Sequence, residues 1–311
     1  MLYKEYLQNR RVYQEQGTQL LIEKKHACLF YKPGKGKTYP VVEACQEVNK
    51  LKQGKCRVLI LSTKDAIDNM WDAEIMPQNI MPENTVLMTI NGAIQEKTKC
   101  QLLSVAWDII IVDECHKIKS HNSKISKLVF LLTRKCEYAW GLTGTPRGNN
   151  DADIFCQLHN LNVSEWGCVS YTQFVSEMCI VDTKYFNGRT IMQPVGIKKE
   201  YKTGWENNLS QFTQRIDYDE QDDMPELKVD VIKLPFEPDK VYKEAEQGII
   251  QIPDYETTMT KLVAITKMHQ AANGYIYTDT NGIRTTYRFA DKNAKIEWLK
   301  NNIISKPTVI V

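Results

Sequence analysis

The chain has 311 residues, of which 42% are hydrophobic and 25% are charged. This composition excludes an intrinsically disordered chain, and the length predicts about two domains. Forty basic residues against 38 acidic ones give a net charge of +2, so overall charge does not identify a nucleic-acid binder. The nine cysteines contain no C-x-x-C pair, which argues against a disulfide framework or a zinc ribbon. No apolar run approaches 18 residues, so we expect no membrane span.

A glycine-containing turn near the N-terminus is the first informative stretch. Residues 2–24 have the apolar spacing of a helix, and residues 27–31 predict a buried strand. The turn that follows is Pro33, Gly34, Lys35, Gly36, Lys37 and Thr38, and a second helix comes after it. Glycines let backbone N–H groups surround phosphate oxygens, and a helix N-terminus favours an anion. The pattern predicts a phosphate-binding loop in which Lys37 contacts the β- and γ-phosphates and Thr38 holds Mg²⁺.

The loop pattern is incomplete, because Tyr31 occupies the place of its first glycine. By itself, the stretch is also compatible with a Lys/Gly-rich surface turn. Upstream of it, Gln14 and Gln19 could each read an adenine edge through the side-chain amide. A solvated helix glutamine explains either residue at least as well.

Two further strands end in polar residues. The strand 57–61 is followed by Ser62, Thr63 and Lys64, and the strand 85–90 is followed by Asn91 and Gly92. Hydroxyls, a lysine and free N–H groups at a strand's carboxyl end can hold a nucleic-acid phosphate. A simple helix cap explains the first group equally well.

Residues 109–112 are four consecutive β-branched residues, which is typical of a strand buried on both faces of a parallel sheet. Asp113 and Glu114 follow directly, where an open α/β sheet binds its ligands. Adjacent acids are common on surfaces, but charge at the tip of a buried strand is costly unless a site uses it. Together with the loop, the pair predicts hydrolysis of a magnesium nucleotide, with Asp113 holding Mg²⁺ and Glu114 deprotonating the attacking water.

The pattern of alternating strands and helices continues to about residue 165 and predicts a doubly wound α/β domain. Its last strand, 138–142, leads into Thr143, Gly144 and Thr145. Residues 166–224 have no clean period. Beyond them, residues 227–234 alternate like a strand, and three helices are predicted at 238–248, 257–272 and 292–304.

Taken together, the motifs resemble the N-terminal motor lobe of superfamily-two helicases, most closely the Swi/Snf-type double-stranded DNA translocases. Residues 33–38 match the family's first motif, residues 58–71 its Ia segment, and residues 142–150 its third motif. Asp-Glu-Cys-His at 113–116 matches motif II, in which Cys115 replaces the usual Gly or Ala. Tyr31 and Lys32 stand where the family often has acidic residues.

The resemblance implies a P-loop RecA-like fold, a doubly wound parallel sheet with a mainly helical insertion. Residues 1–165 would form the ATP-binding lobe, and residues 166–224 the insertion. Residues 225–305 would supply the last strand of the lobe and helices leading to a second lobe. Residues 306–311 would begin that second RecA-like lobe, which would carry the arginine finger.

The resemblance also assigns site residues. Lys37, Asp113 and Glu114 would be catalytic, and Thr38 and Asp113 would hold the metal. ATP would contact Gln14, Pro33, Gly34, Lys35, Gly36, Lys37, Thr38 and His116. Nucleic acid would contact Ser62, Thr63, Lys64, Asn91 and Gly92, and Thr143, Gly144 and Thr145 would couple the two sites.

The expected function is DNA-dependent ATP hydrolysis with Mg²⁺, coupled to movement on duplex DNA through contacts that do not read sequence. Without its second lobe, the chain is expected to hydrolyse ATP poorly. We expect a cytoplasmic protein of a bacterium or a phage-infected host, with no membrane association. Two alternatives remain open: a lobe acting on RNA or single strands, and a non-catalytic interaction module gated by nucleotide.

Overall fold

The structure is a computed structural model that describes residues 2–147, 150–163, 170–186, 189–218, 231–234, 238–252, 255–258, 260–280, 283–288 and 294–302. The chain divides into two compact units, Met1–Asp223 and Met224–Val311. The predicted start of a second lobe at 306–311 lies outside the described residues. Across the described ranges, no helix combines the length and apolar character needed to cross a bilayer.

The first unit is built on a six-stranded sheet. The strands of the first unit, in chain order, are β1 (His26–Tyr31), β2 (Arg57–Ser62), β3 (Asn84–Thr89), β4 (Ile109–Asp113), β5 (Tyr138–Leu142), β6 (Cys179–Phe186), β7 (Arg189–Ile197) and β8 (Thr213–Ile216). All of them except β6 and β7 belong to the central sheet. The sheet order is β3-β2-β4-β5-β1-β8, and every neighbouring pair is parallel. Strands β6 and β7 form a separate antiparallel hairpin.

Helices cover both faces of this sheet. They are α1 (Tyr3–Asn9), α2 (Val12–Lys24), α3 (Thr38–Leu51), α4 (Lys64–Ala66), α5 (Ile90–Ala93), α6 (Glu96–Ser104), α7 (Lys124–Thr133), α8 (Asp151–Asn160), α9 (Tyr171–Met178) and α10 (Lys199–Phe212). Along β4, Ile109 and Ile111 join one buried apolar cluster, whereas Ile110 and Val112 join another. Because side chains alternate along a strand, the two clusters are the two faces of the sheet. The predicted P-loop RecA-like, doubly wound α/β fold is therefore confirmed.

Residues 166–224 differ from the prediction in their details. The described part of this stretch contains α9, α10 and the β6–β7 hairpin, which the sequence pattern did not predict. It also contains β8, which pairs with β1 at the edge of the central sheet. The sheet thus takes its last described strand from the predicted insertion rather than from residues 225–305. In the strand predicted at 227–234, residues 231–234 are not in a strand and residues 227–230 lie outside the described residues.

The second unit is small and contains two antiparallel hairpins. Its elements are α11 (Lys240–Glu246), β9 (Ile249–Ile252), β10 (Tyr255–Thr258), α12 (Lys261–Ala271), β11 (Tyr275–Thr280), β12 (Ile283–Arg288) and α13 (Ala294–Asn302). Val241, Ala245, Ile250 and Ile276 belong to its apolar cluster. The three predicted helices are present, but β10 occupies the residues where the helix predicted at 257–272 would begin.

Candidate nucleotide site

The glycine turn lies between β1 and α3, as the sequence predicts. Gly34 and Gly36 both have positive φ angles, 82° and 69°, which glycine adopts at no steric cost. The Lys32 N–H donates to the Ile216 carbonyl of β8 at 3.0 Å, so the start of the turn is fixed to the sheet edge. Helix α3 begins at Thr38, directly after Lys37. The turn therefore has the backbone of a phosphate-binding loop at a helix N-terminus.

Gln14 braces this loop from α2. Its side chain is buried, its Nε2 donates to the Gly36 carbonyl at 3.2 Å, and its Oε1 accepts from the Arg11 N–H at 3.0 Å. A neighbouring hydroxyl, that of Tyr13, donates to the Lys35 carbonyl at 3.0 Å. Contact of Gln14 with adenine stays a prediction, since the described side chain is engaged with protein atoms on both sides of its amide.

Tyr31, the departure from the loop pattern, has a structural role. It is fully buried, and its single O–H is shared between two acceptors, the Tyr13 carbonyl at 3.1 Å and the Gln214 side chain. Burial raises the pKa of this phenol, so it remains a neutral donor. A Cβ on Gly17 would lie 2.3 Å from the Tyr31 hydroxyl, which explains a glycine within α2. Tyr31 therefore ties β1 to α2 and β8 behind the loop.

Asp113 is the buried member of the acid pair. Its Oδ2 accepts from the Ser62 hydroxyl at 3.0 Å and from the Trp71 indole N–H at 3.1 Å. Its Oδ1 accepts from the backbone N–H of Glu114 at 3.0 Å. Burial raises the pKa of Asp113, while the Trp71 and Ser62 hydrogen bonds and the charge of Lys37 oppose that rise. In the sequence, Trp71 is recognisable only as part of the Ia segment, and nothing in the residue pattern predicts its contact with Asp113.

The Glu114 side chain does not follow the direction of Asp113, because the Glu114 backbone adopts a left-handed conformation with φ at 56°. Its Oε1 lies 3.6 Å from Lys37 Nζ, and its Oε2 lies 3.1 Å from His116 Nδ1. The Thr143 hydroxyl donates to Oε2 at 3.2 Å and accepts from the Thr145 N–H at 3.1 Å. The His116 hydrogen bond, above all, lowers the pKa of Glu114, so this carboxylate is ionised at neutral pH.

The structure thus brings the predicted loop and the predicted acid pair together. Strands β4, β5 and β1 are neighbours, and parallel strands place their carboxyl ends at one edge. Lys37, Glu114 and Thr143 meet at that edge. Gly144 lies against the loop, because a Cβ there would be 2.8 Å from Pro33 Cδ. The individual roles of these residues stay predictions.

The oxygen atoms at the site suit Mg²⁺. Asp113 supplies a carboxylate, and the buried Thr38 supplies a hydroxyl that donates its hydrogen to Met70 Sδ at 3.1 Å, so that its oxygen can face a cation as a ligand. Within the described part of the chain, no group of three or more His, Cys, Asp or Glu side chains is placed to hold a metal. Mg²⁺ is usually held by one or two protein oxygens together with substrate phosphates and water. The donor set therefore fits a magnesium ion that arrives with a nucleotide.

The nucleic-acid candidates are only partly exposed. Ser62 has no exposed surface and donates to Asp113, so the structure corrects its prediction as a nucleic-acid contact. Thr63 accepts from the Ala66 N–H as an N-cap, and the exposed Lys64 pairs with Asp68. Asn91 is exposed in α5, beside Gly92. Since β2 pairs with β3 as far as Thr89, these residues lie at one edge of the sheet.

Comparisons with known proteins agree with the motifs. Residues 77–216 match the model of the SNF2-related domain. "DNA repair protein RAD5" of Eremothecium gossypii is 36% identical over 105 residues, which are 30% of this chain and 10% of that protein. "Transcription termination factor 2" of Drosophila melanogaster is 38% identical over 72 residues, 23% of this chain and 7% of that protein. The chain spans about a tenth of the length of the curated relatives that it matches.

A solved structure is also similar in part. The Sulfolobus solfataricus SWI2/SNF2 ATPase core in complex with dsDNA aligns at 21% identity and a TM-score of 0.49, covering 66% of this chain and 44% of that chain. The range matched by the family model contains Asp113, Glu114 and Thr143. Residues 77–216 are therefore similar to the SNF2-related domain, in agreement with the predicted resemblance to Swi/Snf-type superfamily-two ATPases.

Proposed function

We propose that this chain is the ATP-binding lobe of a DNA-dependent ATPase that couples hydrolysis of Mg-ATP to movement on duplex DNA. The observation that carries the proposal is the 3.6 Å separation between Lys37 Nζ and Glu114 Oε1. It joins a phosphate-binding loop to a strand-end carboxylate pair, and phosphoryl transfer to water needs both. The match of residues 77–216 to the SNF2-related domain supports the same reaction.

In this proposal, the loop binds the nucleotide. The N–H groups around Gly34 and Gly36 and the start of α3 contact the β- and γ-phosphates. Lys37 has three N–H donors, so its ammonium can contact a phosphate oxygen while it stays near Glu114. Thr38 and Asp113 would hold Mg²⁺, which neutralises charge on the phosphate oxygens when it is bound.

Glu114 would position the attacking water. Its lowered pKa keeps it ionised, so it accepts a hydrogen bond from the water and then the proton. His116 and Thr143 hold its Oε2, which leaves the Oε1 side of the carboxylate toward Lys37 and the phosphate loop. Thr143 belongs to the turn after β5, so a change at Glu114 alters contacts of the turn that also contains Gly144 and Thr145.

DNA would contact the same edge of the sheet through Thr63, Lys64, Asn91 and Gly92. These groups would touch phosphates and so would not read sequence. Among the similar proteins, one is named a DNA repair protein and another, from Bos taurus, a DNA annealing helicase and endonuclease. These names support DNA as the partner that we propose for this chain.

Binding of a fluorescent ATP analogue, with and without Mg²⁺, tests the nucleotide site directly. We expect Mg²⁺-dependent binding that Lys37→Ala weakens about 10- to 100-fold and that Glu114→Gln retains. Binding of wild-type strength in Lys37→Ala would contradict the proposal. Binding is a more direct test than hydrolysis, because the family resemblance implies that a second lobe completes the hydrolytic site.

The nucleic-acid partner is tested separately. Binding to duplex DNA, single-stranded DNA and RNA is measured at several salt concentrations. We expect the tightest binding to duplex DNA and an ATPase rate that duplex DNA raises. Tighter binding to RNA or to single-stranded DNA would show that this nucleic acid, and not duplex DNA, is the partner. Nucleotide binding without any hydrolysis, even with every nucleic acid present, would favour a non-catalytic module.

A further inference from the structure

A π-helix at Ile67–Ile75 contacts both residues that we propose as metal ligands. The Trp71 indole N–H donates to Asp113 Oδ2 at 3.1 Å, and Met70 Sδ accepts from the Thr38 hydroxyl at 3.1 Å. π-Helical turns are rare in proteins and occur frequently at functional sites. This segment is therefore more than a connection between β2 and β3.

Packing holds the segment in place. Ile67, Trp71 and Ile75 recur at intervals of four residues, and all three are buried, with Trp71 fully so. Trp71 and Ile75 belong to the apolar cluster on one face of the sheet. The indole ring is thus fixed by apolar contacts, and its N–H is the only polar group that it can direct at Asp113.

The Trp71 N–H has a specific electrostatic effect. An ionised carboxylate with little exposure needs hydrogen-bond donors, because burial without them costs several kcal/mol. An indole nitrogen is a donor only, so it holds a carboxylate oxygen without competing for a cation. Because Trp71 and Ser62 both donate to Oδ2, the orientation of the Asp113 carboxylate is set before any ion arrives.

We propose that Trp71 is a positioning residue that, with Ser62, orients the Asp113 carboxylate for Mg²⁺. This inference rests on the proposed function, since it concerns the magnesium that accompanies the nucleotide. The same π-helix presents Met70 to the Thr38 hydroxyl, so one segment contacts both proposed ligands from the side of the apolar core.

Trp140 is a matched control for Trp71. If Trp71 had a structural role alone, its replacement should have the same effect on Mg²⁺ binding as replacement of Trp140. Trp140 is also fully buried, lies in the same apolar cluster, and donates its indole N–H to the Leu21 carbonyl at 3.0 Å. Replacement of either tryptophan by Phe removes an N–H hydrogen bond of similar length, 3.1 Å for Trp71 and 3.0 Å for Trp140, and leaves an aromatic ring. Only the Trp71 bond ends on a proposed metal ligand.

The experiment measures binding of a fluorescent ATP analogue by the full chain as a function of Mg²⁺ concentration. Loss of a hydrogen bond to a metal ligand typically costs about 10- to 100-fold in metal affinity. We therefore expect Trp71→Phe to raise the half-saturating Mg²⁺ concentration about tenfold or more, with unchanged nucleotide affinity in EDTA. Trp140→Phe should leave the half-saturating concentration at the wild-type value.

Ser62→Ala removes the second donor to Oδ2 and is the smaller change, so it tests the inference even if Trp71→Phe does not fold. We expect it to raise the half-saturating Mg²⁺ concentration in the same direction. A spectroscopic measurement adds a direct readout: in ¹H–¹⁵N spectra, addition of Mg²⁺ and nucleotide should move the Trp71 indole signal and leave that of Trp140.

Two outcomes would overturn the inference while leaving the proposed function intact. In one, Lys37→Ala weakens nucleotide binding as expected, but Trp71→Phe and Ser62→Ala show the half-saturating Mg²⁺ concentration of wild type. In the other, Trp71→Phe and Trp140→Phe raise the half-saturating concentration equally. If nucleotide binding by wild type does not depend on Mg²⁺, and Lys37→Ala binds nucleotide as wild type does, the proposed function fails and the inference fails with it.

Discussion

The Lys37 ammonium lies 3.6 Å from the Glu114 carboxylate, although the two residues belong to elements far apart in the sequence. Both side chains are partly buried, with 18% and 28% of their surface exposed. The pair joins the turn after β1 to the turn after β4, and Thr143 adds the turn after β5. A phosphate that enters this site meets a cation and an ionised carboxylate that already face each other.

Lys37→Ala should weaken binding of Mg-ATP about 10- to 100-fold, because a hydrogen bond to a charged group contributes roughly 1.5–3 kcal/mol. Lys32→Ala is the matched control. Lys32 lies in the same loop, but the contact that fixes the loop uses its backbone N–H, which alanine retains. Equal losses in the two variants, measured by fluorescence titration, would argue against a phosphate contact by Lys37.

Glu114→Gln should preserve nucleotide binding and lower hydrolysis about 10²- to 10⁴-fold, the usual contribution of a positioned general base. The amide keeps the size of the side chain and can still accept from Thr143. Phosphate release under single-turnover conditions gives the rate. Glu96→Gln, at an exposed glutamate of α6, controls for the loss of one negative charge. A Glu114→Gln rate equal to that of wild type would remove this residue from the mechanism.

Gly36→Ala should disrupt the loop more than Gly34→Ala. Both glycines have positive φ, so both substitutions add backbone strain. At Gly36, the new Cβ would also lie 2.6 Å from Gln14 Nε2, whereas nothing lies within 4 Å at Gly34. Gly204→Ala, in the interior of α10 with nothing within 4 Å, should instead stabilise by about 0.5–1 kcal/mol.

A double substitution separates the two causes at Gly36. Gln14→Ala removes the group that the new Cβ would meet, so it should restore part of the nucleotide affinity lost in Gly36→Ala. Isothermal titration of the single and double variants gives the coupling between the two positions. If the losses simply add, the contact between Gln14 and the loop has no part in the effect.

Lys64→Ala should weaken duplex DNA binding at low salt and reduce the slope of log affinity against log salt by about one unit. Lys64 is exposed and lies at the carboxyl end of β2. Lys50→Ala changes the same charge in a similar helix ion pair, but it lies at the end of α3, just before the amino end of β2. Anisotropy of a labelled duplex should therefore show no change of slope for Lys50→Ala.

His26 should make the protein less stable in mild acid. Its Nδ1 lies 2.8 Å from the Leu161 carbonyl, and burial lowers its pKa below the ordinary value of 6.5. Between the lowered and the ordinary value the unfolded chain binds the extra proton, so stability falls as pH drops below about 6.5. One histidine contributes a slope of at most about 1.4 kcal/mol per pH unit.

His26→Asn tests this pH dependence, because an amide keeps a donor for Leu161 but does not titrate. Urea unfolding at pH 7.5 and 5.5 should show a smaller difference in the variant than in wild type. His121 and His159 also have pKa values lowered by burial, so some pH dependence should remain. An unchanged difference would show that His26 takes up its proton equally in both states.

Much of the first unit follows from local pattern. The apolar runs of β1, β2, β4 and β5, each followed by a turn and a helix, predict a parallel sheet, because strands buried on both faces have no polar alternation. Parallel strands end at one edge, so that rule predicts that the glycine turn and the acid pair share an edge of the sheet. The meeting of the two motifs at this edge could therefore be predicted from residue types and their order.

Other features depend on contacts between distant residues. Strand β8 is four residues long, and its place beside β1 is set by pairing rather than by any alternation of its own. Ser62 is of a residue type common at exposed helix caps. In the structure, however, Asp113 lies beside it on the neighbouring strand and accepts a hydrogen bond from its hydroxyl. Tyr31 departs from the loop pattern, and its role depends on Tyr13 and Gln214.

The sequence by itself determined the fold class and the positions of the glycine turn and the acid pair, since these depend on residue types and their order along the chain. Only the tertiary structure decided which groups hold those residues in place: Trp71 and Ser62 at Asp113, Thr143 at Glu114, and Gln14 at the loop. The physical reason is that a hydrogen bond depends on distance and direction in space, which residue order does not specify for groups on different elements.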